Sequence, residues 1–404
     1  MKKFSILLLV VAIITSATAQ TSQNEKEAFK FADKLIKKMT LQEKLGQLQQ
    51  FTTRSAVVTG PGGVKYDAET SIRNGEVGSF LSIKNTKEML RLQKIAIEES
   101  RLGIPLIFGF DIIHGCRITF PENLAMSCSW DIDAIERSAS VAAEESAAVG
   151  LHWTFSPMCD ISADPRWGRV SEGAGEDPYL GAKIAAAMVR GYQGKNLSSD
   201  KTIAACVKHF AAYGAGEAGR DYNTVDMSRF MFIDRFLPPY RAAVEAGAVT
   251  AMSSFNDFEG VPASGNKWLL HDLLREQLGF TGFVVSDYNA VHEMVKHGTA
   301  ADDKDAARQA MLAHLNMDMV HGGYIAHGEA LVKEGKVSEK VIDQLCREVL
   351  AVKYRLGLFD DPFKYGRQDY NKVVYRPENL QFAREAAAKS MVLLSNNGVL
   401  PLQK

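Results

Sequence analysis

The chain has 404 residues, of which 46% are apolar and 24% are charged, as in ordinary soluble globular proteins. Its 47 basic and 48 acidic residues give a formal net charge of −1. This balance gives no electrostatic reason to expect nucleic acid or an anionic membrane surface as a partner. The length suffices for one large domain with added elements, or for two domains.

The first residues have the pattern of a secretory signal peptide. A pair of lysines precedes an apolar run from Phe4 to Ile14, and small residues ending in Ala17-Thr18-Ala19 follow. The run is shorter than the roughly 20 apolar residues that a membrane-spanning helix needs. We therefore predict a signal peptide at residues 1–19, an exported mature chain starting at Gln20, and no membrane attachment after cleavage.

Beyond that segment, helical and strand-like patterns alternate. A helix is predicted from Glu25 to Met39, and Thr40 with Glu43 forms a capping box at the start of a second helix. The predicted strands are Gly78–Leu81, Ile104–Phe110, Leu151–Phe155, Thr202–Val207, Val249–Met252, Gly282–Val285 and Met317–Val320. The predicted helices between them are Thr86–Arg101, Asp131–Gly150, Asp177–Tyr192, Pro238–Gly247, Trp268–Leu278 and Asp303–Leu315.

Such alternation predicts an α/β fold with a parallel sheet, and the number of strands favours a barrel. An open, doubly wound sheet remains an alternative. That fold usually carries a glycine-rich phosphate loop after an early strand, and here neither such a loop nor a Walker motif follows the early strands. We therefore expect no cofactor.

The end of the chain shows a change of pattern. Ser338–Phe359 predicts a long closing helix, a polar linker follows from residue 361, and Glu378–Lys389 predicts another helix. The apolar run Met391–Leu394 then predicts a strand. It would lie either at the edge of a sheet or at the start of a further domain.

Cysteines and histidines give little sign of a metal site. The five cysteines include no C-x-x-C pair, and no two histidines have H-x-x-x-H or H-E-x-x-H spacing. We therefore predict no metal. The sequence leaves open whether one disulfide forms after export.

Charged residues follow three of the predicted strands. Asp287 comes just after Gly282–Val285, Lys208-His209 end the strand that begins at Thr202, and Asp111 follows Phe110. In barrels of alternating strands and helices, the carboxyl ends of the strands carry the chemistry. The three strand ends therefore predict one polar pocket. A pocket of this kind indicates that the chain is an enzyme.

Each candidate also has a structural alternative. The functional interpretation of Asp287 is a nucleophile, a metal ligand or a general base. The structural alternative is that it caps the helix that begins near Tyr288. Asp111 accepts hydrogen bonds from ligand hydroxyls or closes an Asx-turn. Arg169 pairs with Asp111 or Asp287, holds a ligand hydroxyl, or forms an ordinary ion pair. Beside a nucleophilic carboxylate it would keep that group ionised.

These stretches together resemble glycoside hydrolase family 3. The segment Leu273–Ala290 (LLREQLGFTGFVVSDYNA) resembles the active-site signature of that family at every position. Three further motifs resemble the family's arginine loop, its Lys-His strand and a strand that usually reads M-x-S-Y. They are Asp164–Arg169 with Glu172, Val207–Gly214, and Met252–Phe255. The resemblance runs from about Glu25 to Leu402, in the order of the periplasmic β-glucosidase branch.

The resemblance implies a TIM-like (β/α)8 barrel, often irregular in this family, followed by the beginning of an α/β sandwich. It divides the chain into a barrel domain at residues 20–360 and, at 361–404, a linker with the start of the sandwich. Asp287 would be the nucleophile. Subsite −1 would be formed by Asp111, Arg169, Lys208, His209 and Met252. Phe255 stands where the family usually has tyrosine, and Tyr288 where many members have tryptophan. We interpret both differences as tuning of the activity and not as its loss.

The activity implied is exo-acting, retaining hydrolysis of terminal β-D-glucosyl residues from a β-glucoside or oligosaccharide. Retaining hydrolysis uses two carboxyl groups about 5–5.5 Å apart. In this family the second is usually a glutamate of the sandwich domain, so we expect the acid/base beyond residue 404. A catalytically impaired sugar-binding fragment and a β-xylosidase stay as alternatives. The oligomeric state stays open.

A β-N-acetylglucosaminidase is less favoured. That branch of the family carries a His-Asp pair on a loop after K-H-F-P-G-H-G. Here the motif reads KHFAAYG, and no histidine lies between His209 and His271. Glu217 lies on the same loop, and we expect it to be a solvated carboxylate.

Overall fold

The structure, a computed structural model, describes residues 23–52, 66–366 and 369–403. The predicted signal peptide lies outside these residues. The strands are β1 (Gln49–Thr52), β2 (Ser79–Leu81), β3 (Ile107–Phe110), β4 (Trp153–Thr154), β5 (Cys206–Phe210), β6 (Thr250–Ser253), β7 (Asp257–Phe258), β8 (Val261–Pro262), β9 (Phe283–Val285) and β10 (Asp318–Met319).

The helices surround these strands. They are α1 (23–36), α2 (Leu41–Gln47), α3 (Ala68–Arg73), α4 (Thr86–Glu98), α5 (Asn123–Cys128), α6 (Ile132–Val149), α7 (Pro178–Gln193), α8 (Arg229–Met231), α9 (Pro238–Glu245), α10 (Ala290–Lys296), α11 (Asp303–Leu312), α12 (Gly323–Lys333), α13 (Glu339–Arg355) and α14 (Pro377–Lys389). Two π-helical segments, Phe232–Phe236 and Trp268–Gln277, precede α9 and β9.

Eight of the described strands form a ring of parallel neighbours. One sheet has the order β10-β1-β2-β3-β4 and the other the order β5-β6-β9. Isolated parallel bridges, Trp153 with Ala204 and Val285 with Met317, join the two sheets at both seams. The predicted TIM-like barrel is therefore present in an irregular form. The antiparallel hairpin β7–β8 lies outside the ring.

Every strand predicted in the barrel region is present, but β1 was not predicted. It begins with two glutamines, which interrupt the apolar pattern that marks buried strands. Both are fully buried. The side-chain amide of Gln49 donates to the Asp318 carbonyl at 2.7 Å, and that of Gln50 donates to Ser79 Oγ at 2.8 Å. Because neighbouring strands accept from these amide nitrogens, polar residues can occupy the barrel wall.

Helix boundaries follow local capping chemistry. The predicted capping box is present, since Thr40 Oγ1 accepts from the Glu43 backbone and the Glu43 carboxylate accepts from the Thr40 backbone. Helix α6 begins after Asp131, which accepts from the Ala134 amide at 3.0 Å. It ends at Gly150, whose φ of 103° is a conformation that glycine adopts without a Cβ penalty. Helices α6, α7 and α9 pack side by side outside the sheet.

The barrel interior is packed by aromatic side chains from opposite walls. Trp153 on β4 donates from Nε1 to Thr250 Oγ1 on β6 at 2.7 Å. Its ring makes edge contacts with Phe155 and with Phe283 on β9, at centroid distances of 4.9 and 5.0 Å. A Cβ on Gly109 would lie 2.7 Å from Phe155, so glycine makes room for that ring. The interior is thus a core that supports the residues above it.

The strand predicted at Met391–Leu394 is wrong. Helix α14 is present as expected, but the residues after it are irregular and expose 59 to 92% of their surface. A strand forms only when its N–H and C=O groups pair with a neighbour. In the described part of the chain no segment pairs with these residues. The boundaries of a second domain stay a prediction.

Two findings bear on export. Across the described ranges, no helix is both long enough and apolar enough to cross a membrane. All five cysteines are free thiols, so the disulfide that the sequence left open is not formed.

Lys353 on α13 lies at the end of the barrel where the strands begin. Its Nζ donates to Gln47 Oε1 at 2.6 Å, to the Gly78 carbonyl at 2.8 Å and to the Pro105 carbonyl at 2.7 Å. The three acceptors precede β1, β2 and β3. One ammonium group therefore forms hydrogen bonds at the starts of three strands. Complete burial lowers the pKa of Lys353 to about 7.

We expect Lys353→Met to lower the free energy of unfolding by about 2–4 kcal/mol, because buried acceptors left without a donor each cost about 1–3 kcal/mol. Urea unfolding followed by far-UV circular dichroism measures the loss. Lys94→Met on α4 is the control. That side chain is 64% exposed, so its substitution should change stability by less than about 0.5 kcal/mol. Equal stability of the two variants would contradict the role of Lys353.

Candidate active site

A cleft opens at the carboxyl ends of the barrel strands. All six predicted site residues line it: Asp111, Arg169, Lys208, His209, Met252 and Asp287. Its volume of about 230 Å³ is below the roughly 300–1,000 Å³ of pockets for drug-sized ligands. It therefore suits one small polar ligand. Five of the six residues lie on or just after strands: Asp111 after β3, Lys208 and His209 on β5, Met252 on β6 and Asp287 after β9. Arg169 lies in the loop after β4, and parallel pairing brings these strand ends to one rim.

Asp287 lies two residues after β9 and is 9% exposed. Its Oδ1 accepts from the Tyr288 amide at 2.7 Å. Its Oδ2 has no hydrogen-bond partner among the described residues, and His209 Nε2 lies 3.4 Å away. The N-cap of α10 is Asn289, so Asp287 is not the cap of that helix. Because Asp287 also lines the cleft, its Oδ2 is a candidate for contact with a ligand.

His209 is held by a second carboxylate, Asp160. The Oδ2 of Asp160 accepts from both the backbone N and the ring Nδ1 of His209, at 2.9 and 2.8 Å. Since a carboxylate oxygen accepts, Nδ1 carries the proton and the neutral ring presents a lone pair at Nε2. Burial lowers the pKa of His209 and the Arg169 charge lowers it further, while Asp160 raises it, and the net shift is downward. The ring is thus a neutral acceptor near Asp287.

Asp160 is itself fixed by a full set of donors. Its other oxygen, Oδ1, accepts from the Tyr240 hydroxyl at 2.6 Å and from the Tyr213 amide at 3.1 Å. The residue is 1% exposed. Four hydrogen bonds to one buried carboxylate fix the direction of the His209 ring. The sequence reasoning did not identify Asp160, although it lies shortly after the predicted strand Leu151–Phe155.

Lys208 and Asp111 form an ion pair on the other side of the cleft. Lys208 Nζ donates to Asp111 Oδ1 at 2.9 Å. The lysine side chain is 3% exposed and the aspartate side chain is 49% exposed. The peptide bond between Lys208 and His209 is cis, and both side chains reach the cleft. The exposed oxygens of Asp111 are therefore free to accept from a ligand while the buried lysine neutralises the charge.

Arg169 pairs with neither Asp111 nor Asp287, the partners considered from the sequence. It donates to both oxygens of Glu172, from Nε at 2.7 Å and from Nη2 at 2.9 Å. The short 3₁₀ turn Val170–Glu172 brings the two side chains together. Burial alone would lower the pKa of Arg169, but Glu172 and then Asp287 raise it above its ordinary value. Arg169 thus brings a permanent positive charge to the cleft that Asp287 also lines.

Aromatic rings form the remaining wall. Tyr222 stacks on Phe255 with ring centroids 4.2 Å apart, and both line the cleft. The Tyr213 ring contacts His209 edge-on at 5.0 Å, and the Arg169 guanidinium lies over it at 5.5 Å. Burial, followed by the Asp287 charge, raises the pKa of Tyr222 to about 12, so its hydroxyl stays protonated. Tyr222 was not predicted, because aromatic residues in loops carry no spacing pattern.

Two further residues considered from the sequence are placed by the structure. Glu217 is exposed and does not line the cleft, as expected of a solvated carboxylate. Tyr288 lines the cleft next to Asp287. Among the described residues, the groups with metal-ligand spacing also lie outside the cleft lining.

The comparisons with known proteins agree on one family. The sequence model of the glycosyl hydrolase family 3 N-terminal domain matches residues 40–352. The periplasmic beta-glucosidase of Salmonella typhimurium is 41% identical, over 93% of this chain and 49% of that protein. A putative beta-xylosidase of Formosa agariphila is 32% identical, over 100% of this chain and 57% of that protein.

Solved structures give the same result. The beta-glucosidase from Listeria innocua in complex with isofagomine has a TM-score of 0.87 and 42% identity, covering 92% of this chain and 52% of that chain. A mutant of that enzyme in complex with laminaribiose has a TM-score of 0.85 and 39% identity, covering 92% and 53%. The chain thus spans about half the length of the relatives it matches.

We expect Asp160→Asn to lower the free energy of unfolding by about 2–3 kcal/mol. One carboxylate oxygen becomes an NH₂ group that faces donors, and hydrogen bonds to charged groups are worth about 1.5–3 kcal/mol each. Urea unfolding measures the change. Asp234→Asn is the matched control, because that side chain is exposed and its loss should cost less than about 0.5 kcal/mol. Wild-type stability of Asp160→Asn would show that the four hydrogen bonds are not needed.

Proposed function

The chain belongs to glycosyl hydrolase family 3, and we propose that it carries the nucleophile domain of an exo-acting, retaining β-glucosidase. The sequence resemblance to that family is thereby confirmed. The observation that carries the proposed reaction is the free Oδ2 of Asp287 at the floor of a polar cleft. Support comes from relatives named beta-glucosidases and from the Listeria innocua enzyme, solved in complex with glucose.

In the proposed reaction, Asp287 Oδ2 attacks the anomeric carbon of a terminal glucosyl residue. The bond from that carbon to the leaving oxygen breaks, and a covalent glycosyl-enzyme forms. Arg169, which is bound to Glu172, lines the same cleft and adds a permanent positive charge to it. The Tyr288 amide, bound to Oδ1, leaves Oδ2 as the attacking atom.

The remaining polar groups would bind the sugar hydroxyls. Asp111 and the Nε2 of His209 present acceptors, and Lys208 presents a donor. Met252 and Phe255 supply apolar surface against the sugar ring. Charged side chains held by fixed partners discriminate well between sugars that differ in their hydroxyl groups. A sugar that lacks one hydroxyl leaves one of these side chains without a hydrogen-bond partner.

Retaining hydrolysis needs a second carboxyl group as acid and base. The carboxylates lining the cleft are Asp111 and Asp287, and Asp111 is bound to Lys208. We therefore assign the acid/base to no residue of this lining. The relatives extend over about twice the matched length, and the activity of the whole protein belongs to the proposal. A test of Asp287 must use a leaving group that departs without protonation.

A β-xylosidase is the second candidate. The putative beta-xylosidase and the beta-xylosidase of Formosa agariphila each match the whole of this chain. Xylose lacks the hydroxymethyl group of glucose, so the two activities differ in one substituent. The ratio of kcat/KM for 4-nitrophenyl β-glucoside and β-xyloside decides between them. A ratio above one supports the glucosidase, and a ratio below one supports the xylosidase.

Export is part of the proposal. It is supported by the signal-peptide pattern at residues 1–19 and by relatives named periplasmic beta-glucosidases. Protease protection of the chain in intact cells of a Gram-negative bacterium that expresses it, lost on release of the periplasm, would test it.

We expect one 2-deoxy-2-fluoroglucosyl unit to add to the purified chain after incubation with 2,4-dinitrophenyl 2-deoxy-2-fluoro-β-glucoside. The dinitrophenolate leaves without protonation, and the fluorine slows hydrolysis of the intermediate. Intact-mass spectrometry detects the adduct, and peptide mapping should place it on Asp287. The Asp287→Asn variant should give no adduct while keeping the wild-type far-UV spectrum. An adduct on another residue, or none on the folded wild type, would overturn the assignment.

We expect Asp111→Ala to weaken glucose binding roughly tenfold to hundredfold, because hydrogen bonds to a charged group are worth about 1.5–3 kcal/mol. Titration calorimetry with glucose measures the affinity, and a thermal melt checks that the variant is folded. Asp133→Ala, at an exposed position on α6, is the control and should bind glucose as the wild type does. Unchanged affinity in folded Asp111→Ala would remove Asp111 from the sugar subsite.

A further inference from the structure

Outside the cleft, two histidines and an aspartate from three elements meet at one point. His292 lies on α10, Asp303 is the first residue of α11, and His321 follows β10. His292 Nδ1 lies 2.7 Å from Asp303 Oδ1, and His321 Nε2 lies 3.3 Å from the same oxygen. The ligand atoms of the three residues all lie within 4.8 Å of one another.

These separations fit a metal coordination sphere. With Zn–N and Zn–O bonds of about 2.0–2.2 Å, the ligand atoms of a tetrahedral site lie roughly 3.3–3.6 Å apart. The observed separations of 2.7 and 3.3 Å, with all ligand atoms within 4.8 Å, bracket that range. A plain ion-pair cluster gives the same three contacts, so a second observation must decide between the two.

That observation is the environment of the buried histidine. The second ring nitrogen of His321, Nδ1, lies 3.6 Å from Asp318 Oδ2. His321 Nδ1 and Asp318 Oδ1 are buried and have no hydrogen-bond partner in the described part of the chain. Asp318 is fully buried and accepts from the Gly323 amide at 2.8 Å. Metal-bound histidines typically donate their other N–H to a carboxylate in this way.

We propose that His292, Asp303 and His321 bind one divalent transition-metal ion, preferably Zn²⁺, with Asp318 positioning His321. With Nδ1–H directed at Asp318, the lone pair of His321 is at Nε2, on the side of Asp303. Two imidazoles and one carboxylate suit zinc, whereas calcium and magnesium prefer six or more oxygen ligands. The side chains of His292 and Asp303 are 36% and 43% exposed, which leaves a fourth position for water.

The ion would connect elements that follow β9 and β10, next to the cleft. Helix α10 begins three residues after Asp287, and Met319, two residues before His321, lines the cleft. A metal at this point joins α10, α11 and the loop after β10. Its expected effect is to stabilise the folded chain, since a ligand that binds only the native state raises the melting temperature.

The test uses the full chain without a histidine tag, after treatment with a chelator. Titration calorimetry with Zn²⁺ should give one site per chain, and Co²⁺ should give the intense visible absorption of a four-coordinate ion. We expect His292→Gln and Asp303→Asn each to weaken Zn²⁺ binding at least about tenfold, and Asp318→Asn to weaken it by about tenfold. Zn²⁺ should raise the melting temperature of the wild type but not of His292→Gln.

His271→Gln is the matched control. His271, Asp272 and Glu276 form the other described group with ligand spacing, but it has one histidine, and Asp272 is already bound to Lys267. This variant should bind Zn²⁺ as the wild type does. The proposal is overturned if the wild type shows no saturable site, if His292→Gln and Asp303→Asn keep wild-type affinity, or if His271→Gln loses as much. Melts without metal establish that each variant is folded.

Discussion

Parallel strand pairing around a closed ring is the constraint on which the rest of the structure depends. Each strand of the ring runs in the same direction, so all carboxyl ends meet at one rim. Asp111, Lys208 and Asp287 are far apart in the sequence and become neighbours only through this pairing. Lys353 stabilises the opposite end, where the strands begin. Stability and chemistry thus lie at opposite ends of one barrel.

Within the cleft, charged side chains are paired with an oppositely charged neighbour, and the pairing leaves one side of the charged group open to a ligand. Lys208 binds one oxygen of Asp111, and the other side of that carboxylate remains exposed. Arg169 donates from Nε and Nη2 to Glu172 and forms no direct ion pair with Asp287. Such an arrangement leaves Oδ2 of Asp287, the proposed nucleophile, uncovered.

The sequence predicted the barrel and the strand-end residues Asp111, Lys208, His209 and Asp287, because apolar runs and charged strand ends are local signals. The family resemblance added Met252 and the proposed role of Asp287. The sequence did not predict Asp160, because its function is to orient His209, and that depends on a tertiary contact. The strand predicted at Met391–Leu394 failed because an apolar run records only propensity, and a strand also needs a neighbour.

Unpaired buried polar atoms occur both in the cleft and at the histidine cluster, for related reasons. Asp287 Oδ2 lies beside an acceptor nitrogen of His209, so no internal donor can satisfy it and an incoming atom must. His321 and Asp318 are instead donor and acceptor held slightly too far apart, at 3.6 Å. A metal ion bound at Nε2, as we propose, would fix the tautomer that carries its proton at Nδ1, facing Asp318. In each place the unpaired atom supports a proposed contact from outside only together with the geometry around it.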